Sequence, residues 1–469
     1  MRRRGNEGPL SRSQQPGSGA PSSATADLNS QITHEDIDRA RDRWAVIRAR
    51  KFGSHRWLRV FWLLSGPGIL VFLGENDGPS MLSYAATGAQ FGIGFFLPFV
   101  ILTFVMGFIV QEMTVRLGAV THRGHAELIF DRFGRFWGLF SMADLVLGNF
   151  LTLVTEFIGI RTGLGFFGVP PEIAVGGALL VVVAAITTGR YWTWERITLG
   201  LAIFNVLFVP AALLSHPSWR EVGHAFLTWS PLPDGGKSAI LLLIMADIGA
   251  TVTPWMLFFQ QSAVVDKGMQ PRDIPAGRLD TLLGSILAAI FAIAAIIATS
   301  PLHRHGINTA EFQGAQFAQA LQPFIGRAGA ALFALGIFEA GMVAAITIST
   351  SSAYAFSETF HTAHSLNRPL REGWPFYLIL SSSALFAGAL VLIPGIPLIY
   401  IVLIVNVIAV LSMPPALIFL WLLVNDREIM GDHVNNRAQN IAELSIVVLL
   451  VTVGLLYGIG TLFPNILGG

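Results

Sequence analysis

From Leu58 to Phe463 the chain alternates long apolar stretches with short polar joints. A helix needs about 20 predominantly apolar residues to cross a bilayer. The pattern predicts eleven such spans, near 58–91, 94–114, 137–166, 171–188, 195–215, 238–265, 279–299, 328–356, 374–394, 397–423 and 441–463. Residues 1–30 are polar and rich in Ser, Gly and Pro, which predicts a disordered tail and does not read as a cleaved signal. In residues 31–52, Ile37, Ala40, Trp44 and Ile47 recur at helical spacing among arginines. That segment reads as an amphipathic helix on the membrane surface or as a solvated helical linker.

Two of the predicted spans carry helix-breaking sequence. The first reads GPGILVFLGENDGPSMLSYAATG and breaks across Gly74, Gly78, Pro79 and Ser80. The sixth reads ILLLIMADIGATVTPWMLFFQQ and breaks between Gly249 and Pro254. Breaks five spans apart fit two inverted five-helix repeats, over residues 53–216 and 217–426. Residues 1–52 then form the cytoplasmic tail, and 427–469 an eleventh helix with the C-terminus. Paired interruptions at corresponding positions point to a binding site near the bilayer midplane.

Composition and charge sharpen this picture. The chain is 53% hydrophobic and only 13% charged, against about 25% charged in soluble domains. Of its 30 Lys and Arg residues, twelve precede or open the first span and thirteen fall in alternate joints. The opposite joints hold only Arg220, Lys237, Arg304 and Arg327, and Arg161 lies within the third span. The asymmetry predicts a multi-pass protein of the cytoplasmic membrane, N-terminus inside and C-terminus outside. A net charge of +1 offers no footprint for nucleic acid, and the lack of cysteine excludes disulfides and thiolate chemistry. No HExxH or GxSxG motif supports an enzyme.

Charge within a bilayer is costly, so ionisable residues inside spans mark interior sites. They are Glu75, Asp77, Glu112, Asp144, Glu156, Arg161, Asp247 and Glu339. Glu112 and Asp144 lie near span ends and read as interfacial. Arg161 reads as snorkelling outward or forming a structural ion pair with Glu156. The informative group is Glu75 and Asp77 in the first break, with Asp247 one turn outside the second. Free carbonyls there, beside Asp77, Ser80 and Thr253, make an all-oxygen environment suited to Mg2+, Mn2+ or Ca2+. A site in which a carboxylate pairs with an ammonium group remains the alternative.

At these breaks the chain resembles the Nramp (SLC11-type) metal transporters, which have the LeuT-like fold. Gly66-Pro67-Gly68 precedes Asp77 at the family's interval, and Asp77 matches its metal-ligating aspartate. Gly78-Pro79-Ser80 stands where the family has Pro-Gly-Asn, so Ser80 replaces a ligating asparagine. In the sixth span Ala250 matches the carbonyl ligand, Thr253 replaces a methionine and Trp255 a histidine. Asn406, eight residues before Pro414, falls where the family has a glutamine close to the metal. Thr253-Pro254-Trp255-Met256 and Val264-Val265-Asp266-Lys267-Gly268 are similar to the Nramp-related magnesium transporters.

The resemblance implies an all-α, LeuT-like 5+5 inverted repeat that imports a divalent metal, with Mg2+ or Mn2+ favoured. It implies Asp77, Ser80, Ala250, Thr253 and Asn406 as the metal site, with Glu75 and Asp247 as outer carboxylates. The partners expected are the transported ion and the bilayer, without a bound cofactor. The family's proton route uses a sixth-span histidine and a D-x-x-E pair in the third span. Here those positions hold Trp255, Leu153 and Glu156, so obligatory proton coupling is not expected. The competing readings are an amino-acid or organic-cation carrier on the same fold, and a non-transporting membrane metal sensor.

Overall fold

The computed structural model describes residues 66–462, apart from 187–190, 230–236, 308–311, 313–314, 361–373 and 396. The amphipathic segment expected at 31–52 lies outside the described residues. Among those described, helix is the sole regular secondary structure, and eight helices are long and apolar enough to cross a membrane. Two shorter apolar helices, Pro171–Ala185 and Ser381–Val391, accompany them. Eleven crossings is thus more than length and hydropathy alone establish.

The first expected span is two helices, α1 (Pro67–Glu75) and α2 (Gly78–Phe91). Then come α3 (Phe96–Thr121), the short α4 (His125–Phe133), α5 (Arg135–Gly165) and α6 (Pro171–Ile186). The fifth span is α7 (Tyr191–Ala202) and α8 (Phe208–Leu214), joined by a 3-10 turn at Ile203–Leu207. After α9 (Trp219–Thr228), the sixth span is α10 (Lys237–Gly249) and α11 (Pro254–Asp266). The remainder comprises α12 (Ile274–Arg304), α13 (Gln316–Thr359), α14 (Trp374–Val391), α15 (Leu398–Asn425), α16 (Arg427–Met430) and α17 (Arg437–Leu462).

Both expected interruptions are present, and proline chemistry places them. A residue preceding proline is pushed out of the helical region by the ring. Thr253 precedes Pro254 and is extended, with φ −125° and ψ 153°. Asp77 is likewise extended, and caps α2 by accepting the Ser80 N–H at 2.7 Å, with Pro79 in the first turn where its missing N–H costs nothing. The turn at Ile203–Leu207 has no counterpart in the sequence reading; Pro210 cannot donate to the Val206 carbonyl four residues earlier, which loosens the helix there.

The halves of the broken spans sit inside a shell of unbroken helices. The most extensive packing is between α5 and α13; α12 lies along both α1 and α2, and α10 lies along α15. Close approach is secured where a side chain would not fit. A Cβ on Gly249 would overlap the Asn406 carbonyl, and one on Gly159 would stand 2.9 Å from the Gly78 Cα. Outward-facing positions are large and apolar, such as Leu147, Leu180 and Leu455, as a lipid solvent requires.

Candidate functional site

The two interruptions meet. Glu75, the last residue of α1, is fully buried, and its Oε2 accepts the Thr253 hydroxyl at 2.8 Å. This contact joins positions 178 residues apart. The Glu75 Oε1 has no hydrogen-bond partner. One residue on, Asn76 donates to the Ala288 carbonyl of α12 at 2.8 Å and leaves its own oxygen unpaired. Asp77 is 1% exposed.

Glu156 of α5 closes this layer. Its Oε2 accepts the Gly78 N–H at 3.1 Å, its carboxyl stands beside that of Asp77, and its Oε1 has no partner. The ion pair with Arg161, one of the two readings the sequence allows, does not form. Five residues along an α-helix are about 140° around its axis, so the two side chains leave on different faces. The Arg161 guanidinium instead donates to the Val391 carbonyl at 2.6 Å. Glu156 therefore belongs to the first break.

The second break is tied to α2 and α3 by hydroxyls. Tyr84 donates to the Ala250 carbonyl at 3.0 Å and shares a 2.8 Å bond with Thr251, which reaches Thr103 at 2.9 Å. A turn further along α2, Thr87 donates to both oxygens of Asp247, at 3.1 and 3.0 Å. Asp247 is thus one layer away from Glu75 and Asp77. Asn406 donates to the Ser83 hydroxyl at 2.9 Å. Trp255 is buried, packs on Phe259 and lies under Gly74, where an added Cβ would stand 3.3 Å from its ring.

The structure thus brings together Glu75, Asp77 and Thr253, and adds Glu156. Ser80 contributes its N–H to Asp77, Ala250 turns its carbonyl to Tyr84, and Asn406 and Asp247 sit in flanking layers. Tyr84 and Thr87 escaped the sequence reading, although Ser80, Tyr84 and Thr87 form a polar stripe at i, i+4 and i+7 through an apolar helix.

Among the described residues no three His, Asp or Glu side chains are close enough to chelate an ion alone. An ion between the breaks would therefore also draw on hydroxyls and carbonyls, a donor set that suits hard cations. A narrow cleft is lined by Asp144, Asn149, Thr152, Thr253 and Ser412. Two other carboxylates stand apart: Glu112 is held by Arg116 and Arg278, while both oxygens of the buried Glu339 are unpartnered.

A family model described as natural resistance-associated macrophage protein-like (Nramp) matches residues 68–459. The chain is 24% identical over 408 residues to the divalent metal cation transporter MntH of Yersinia enterocolitica, covering 85% of this chain and 94% of that one. It is 26% identical over 416 residues to MntH of Yersinia pestis, covering 86% and 96%. Among solved structures, the Eremococcus coleocola manganese transporter superposes with a TM-score of 0.69 at 20% identity, over 88% of this chain and 90% of that one. A Na+-coupled sialic acid symporter follows at a TM-score of 0.56 and 13% identity, over 90% and 96%. These superpositions show the LeuT-like fold.

Proposed function

The chain belongs to the Nramp family of divalent metal cation transporters, and on that premise we propose that it imports Mg2+ or Mn2+ without obligatory proton coupling. Asp77 is the indispensable ligand. Ser80, Thr253, the Ala250 carbonyl and Asn406 complete the site as the ion arrives, while Glu75 and Asp247 attract it. The observation that carries the reading is the bond from Thr253 to Glu75 beside Asp77. A hydroxyl that gives its proton to a carboxylate keeps its lone pairs for a cation, and an oxygen confers none of the preference for soft metals that a thioether would. Mg2+ gives up its water reluctantly, and Ser80, smaller than the asparagine it replaces, leaves room for retained water.

The uncoupled mechanism is supported by Trp255 and Leu153, both buried, neither of which can carry a proton at the relay positions. The excess of Lys and Arg in alternate joints supports an N-terminus in the cytoplasm and a C-terminus outside, in the cytoplasmic membrane. With that orientation α1 and α11 are the cytoplasmic halves of their spans, and α2 and α10 the external halves.

Purified protein in liposomes loaded with a pH-sensitive dye tests this directly. Saturable uptake of Mg2+ and Mn2+, with lumenal acidification no faster than in a metal-free control, is the expected result. Acidification that scales with metal uptake would refute the uncoupled model, and absence of saturable uptake would refute the transport reading.

A further inference from the structure

The end of α1 far from the site is held by a buried polar cluster that the ion does not touch. Gly66 and Gly68 donate their N–H groups to the two carboxylate oxygens of Asp280, at 2.9 and 2.6 Å. Beside them Lys267, at the end of α11, donates to both oxygens of Glu195 on α7, at 2.8 and 3.1 Å. The Lys267 and Glu195 side chains are 1% and 3% exposed, and Asp280 is 1% exposed. Gly66 has φ +144°, and a Cβ there would overlap the Glu195 carboxylate and approach the Lys267 ammonium to 2.9 Å. A Cβ on Gly68 would meet the Thr281 N at 2.5 Å. The Gly-Pro-Gly sequence is thus what lets the start of α1 lie directly on this cluster.

We infer that Asp280, Glu195 and Lys267 are positioning residues, which clamp the cytoplasmic end of α1 and so set how readily the site opens to the cytoplasm. The inference rests on the transport reading and orientation above. A carboxylate at a helix N-terminus satisfies exposed N–H groups and complements the helix dipole. Asp280 does so from α12, a long unbroken helix, whereas α1 spans only nine residues and ends at the Asn76–Asp77 interruption. A short helix whose inner end is a chain interruption can turn about that interruption as a unit. It can do so when the two N–H···O bonds to Asp280 and the Thr253–Glu75 bond give way. Glu195 and Lys267 join α7 to α11, so the same cluster ties α1 to the second half of the sixth span. Removing Glu195 or Lys267 leaves a buried charge without its partner, and removing Asp280 leaves two N–H groups without their acceptor; both oppose reclosure.

The chain contains no cysteine, so a single introduced thiol reports movement cleanly. Leu70 is fully buried on α1, one turn before Gly74 and on the same helical face. In inside-out vesicles the test measures the rate at which Leu70→Cys reacts with a membrane-impermeant maleimide, with and without Asp280→Ala, Asp280→Asn, Glu195→Gln or Lys267→Met. Each clamp variant is expected to raise the rate by at least about tenfold, the change carried by one lost charge-assisted hydrogen bond. Asp280→Asn, which keeps one acceptor, should give the smallest rise. The exchange Glu195→Lys with Lys267→Glu should label more slowly than either single change.

Mn2+ uptake from the outside should show a raised KM with a smaller change in maximal rate. A merely structural cluster would lower the yield of folded protein without changing labelling per folded molecule. Should Asp280→Ala not fold, Asp280→Asn and Glu195→Gln carry the test. Unchanged labelling in monodisperse Asp280→Asn and Glu195→Gln would overturn the inference. Labelling is read without metal, so failure of the transport reading would leave this result standing.

Discussion

The contact between Thr253 and Glu75 is the most informative place to perturb the molecule, because it joins the two interruptions through one hydrogen bond of 2.8 Å. Thr253→Val keeps the shape of the side chain and removes the hydroxyl. Glu75→Met keeps the length and removes the acceptor. A hydrogen bond to a charged group contributes about 1.5–3 kcal/mol, and about 1.4 kcal/mol corresponds to a tenfold change in an equilibrium constant. Each single variant should therefore raise the apparent KM for Mg2+ or Mn2+ by roughly ten- to a hundredfold, and change the maximal rate less. The two side chains act as a unit, since Glu75 orients the lone pairs of Thr253. The double variant should thus fall well short of the product of the two single effects, with a coupling energy of about 1–3 kcal/mol. The assay is initial-rate uptake into liposomes for all four corners of the cycle. Additive effects would mean that Glu75 and Thr253 serve the ion separately. No effect from Thr253→Val would mean that its hydroxyl is not a donor to the ion.

Further outcomes follow from the same geometry. Thr253→Met replaces an oxygen by a thioether and should strengthen competition by Cd2+ relative to Mg2+, measured as inhibition of uptake; an unchanged series would place residue 253 away from the ion. Gly66→Ala puts a Cβ at φ +144° into the Glu195–Lys267 pair, so it should lower melting temperature and uptake together, whereas Gly134→Ala, also at positive φ but with open space, should cost only its backbone strain. His125 of α4 lies in a joint outside the spans, bonded to Gln261 at 2.9 Å and edge-on to Phe258. Burial pushes its pKa down from 6.5 to about 4. The unfolded chain then binds the extra proton first, so stability present above pH 6.5 is lost as pH falls toward 4, by about 3 kcal/mol in all. Melting curves of His125→Gln should show a flatter pH dependence over that window, and equal slopes would refute the assignment.

Much of the fold was legible because two strong signals coincide. Apolar stretches set where helices lie, and Gly78-Pro79 and Thr253-Pro254 set where two of them stop. The limits of α3, α5 and α15 fall within several residues of the expected spans, and both breaks lie where expected. The third interruption, at Ile203–Leu207, was missed, although Pro210 lacks the N–H that would bond the Val206 carbonyl four residues earlier. The site was legible in part. Asp77, Ala250 and Thr253 could be named from the motifs, but periodicity within one helix cannot reveal which side chain of another it meets. The contact of Glu75 with Thr253, and the place of Asp247 with Thr87, depend on how α1, α2, α10 and α11 are rotated against each other. The pairing of Glu156 with Arg161, one of two readings, treats nearness in sequence as nearness in space, and helical geometry separates them. The Gly66-Pro67-Gly68 motif was visible as a resemblance, but its reason, contact with Asp280 and Thr281, needed the packing of α12.

The most direct test compares wild-type protein with Asp77→Ala in proteoliposomes, measuring initial rates of Mg2+ and Mn2+ uptake on samples matched for folded protein. The account predicts saturable uptake by the wild type and none above the protein-free leak for Asp77→Ala, with both eluting as the same monodisperse species. Saturable uptake by Asp77→Ala at the wild-type rate would contradict it.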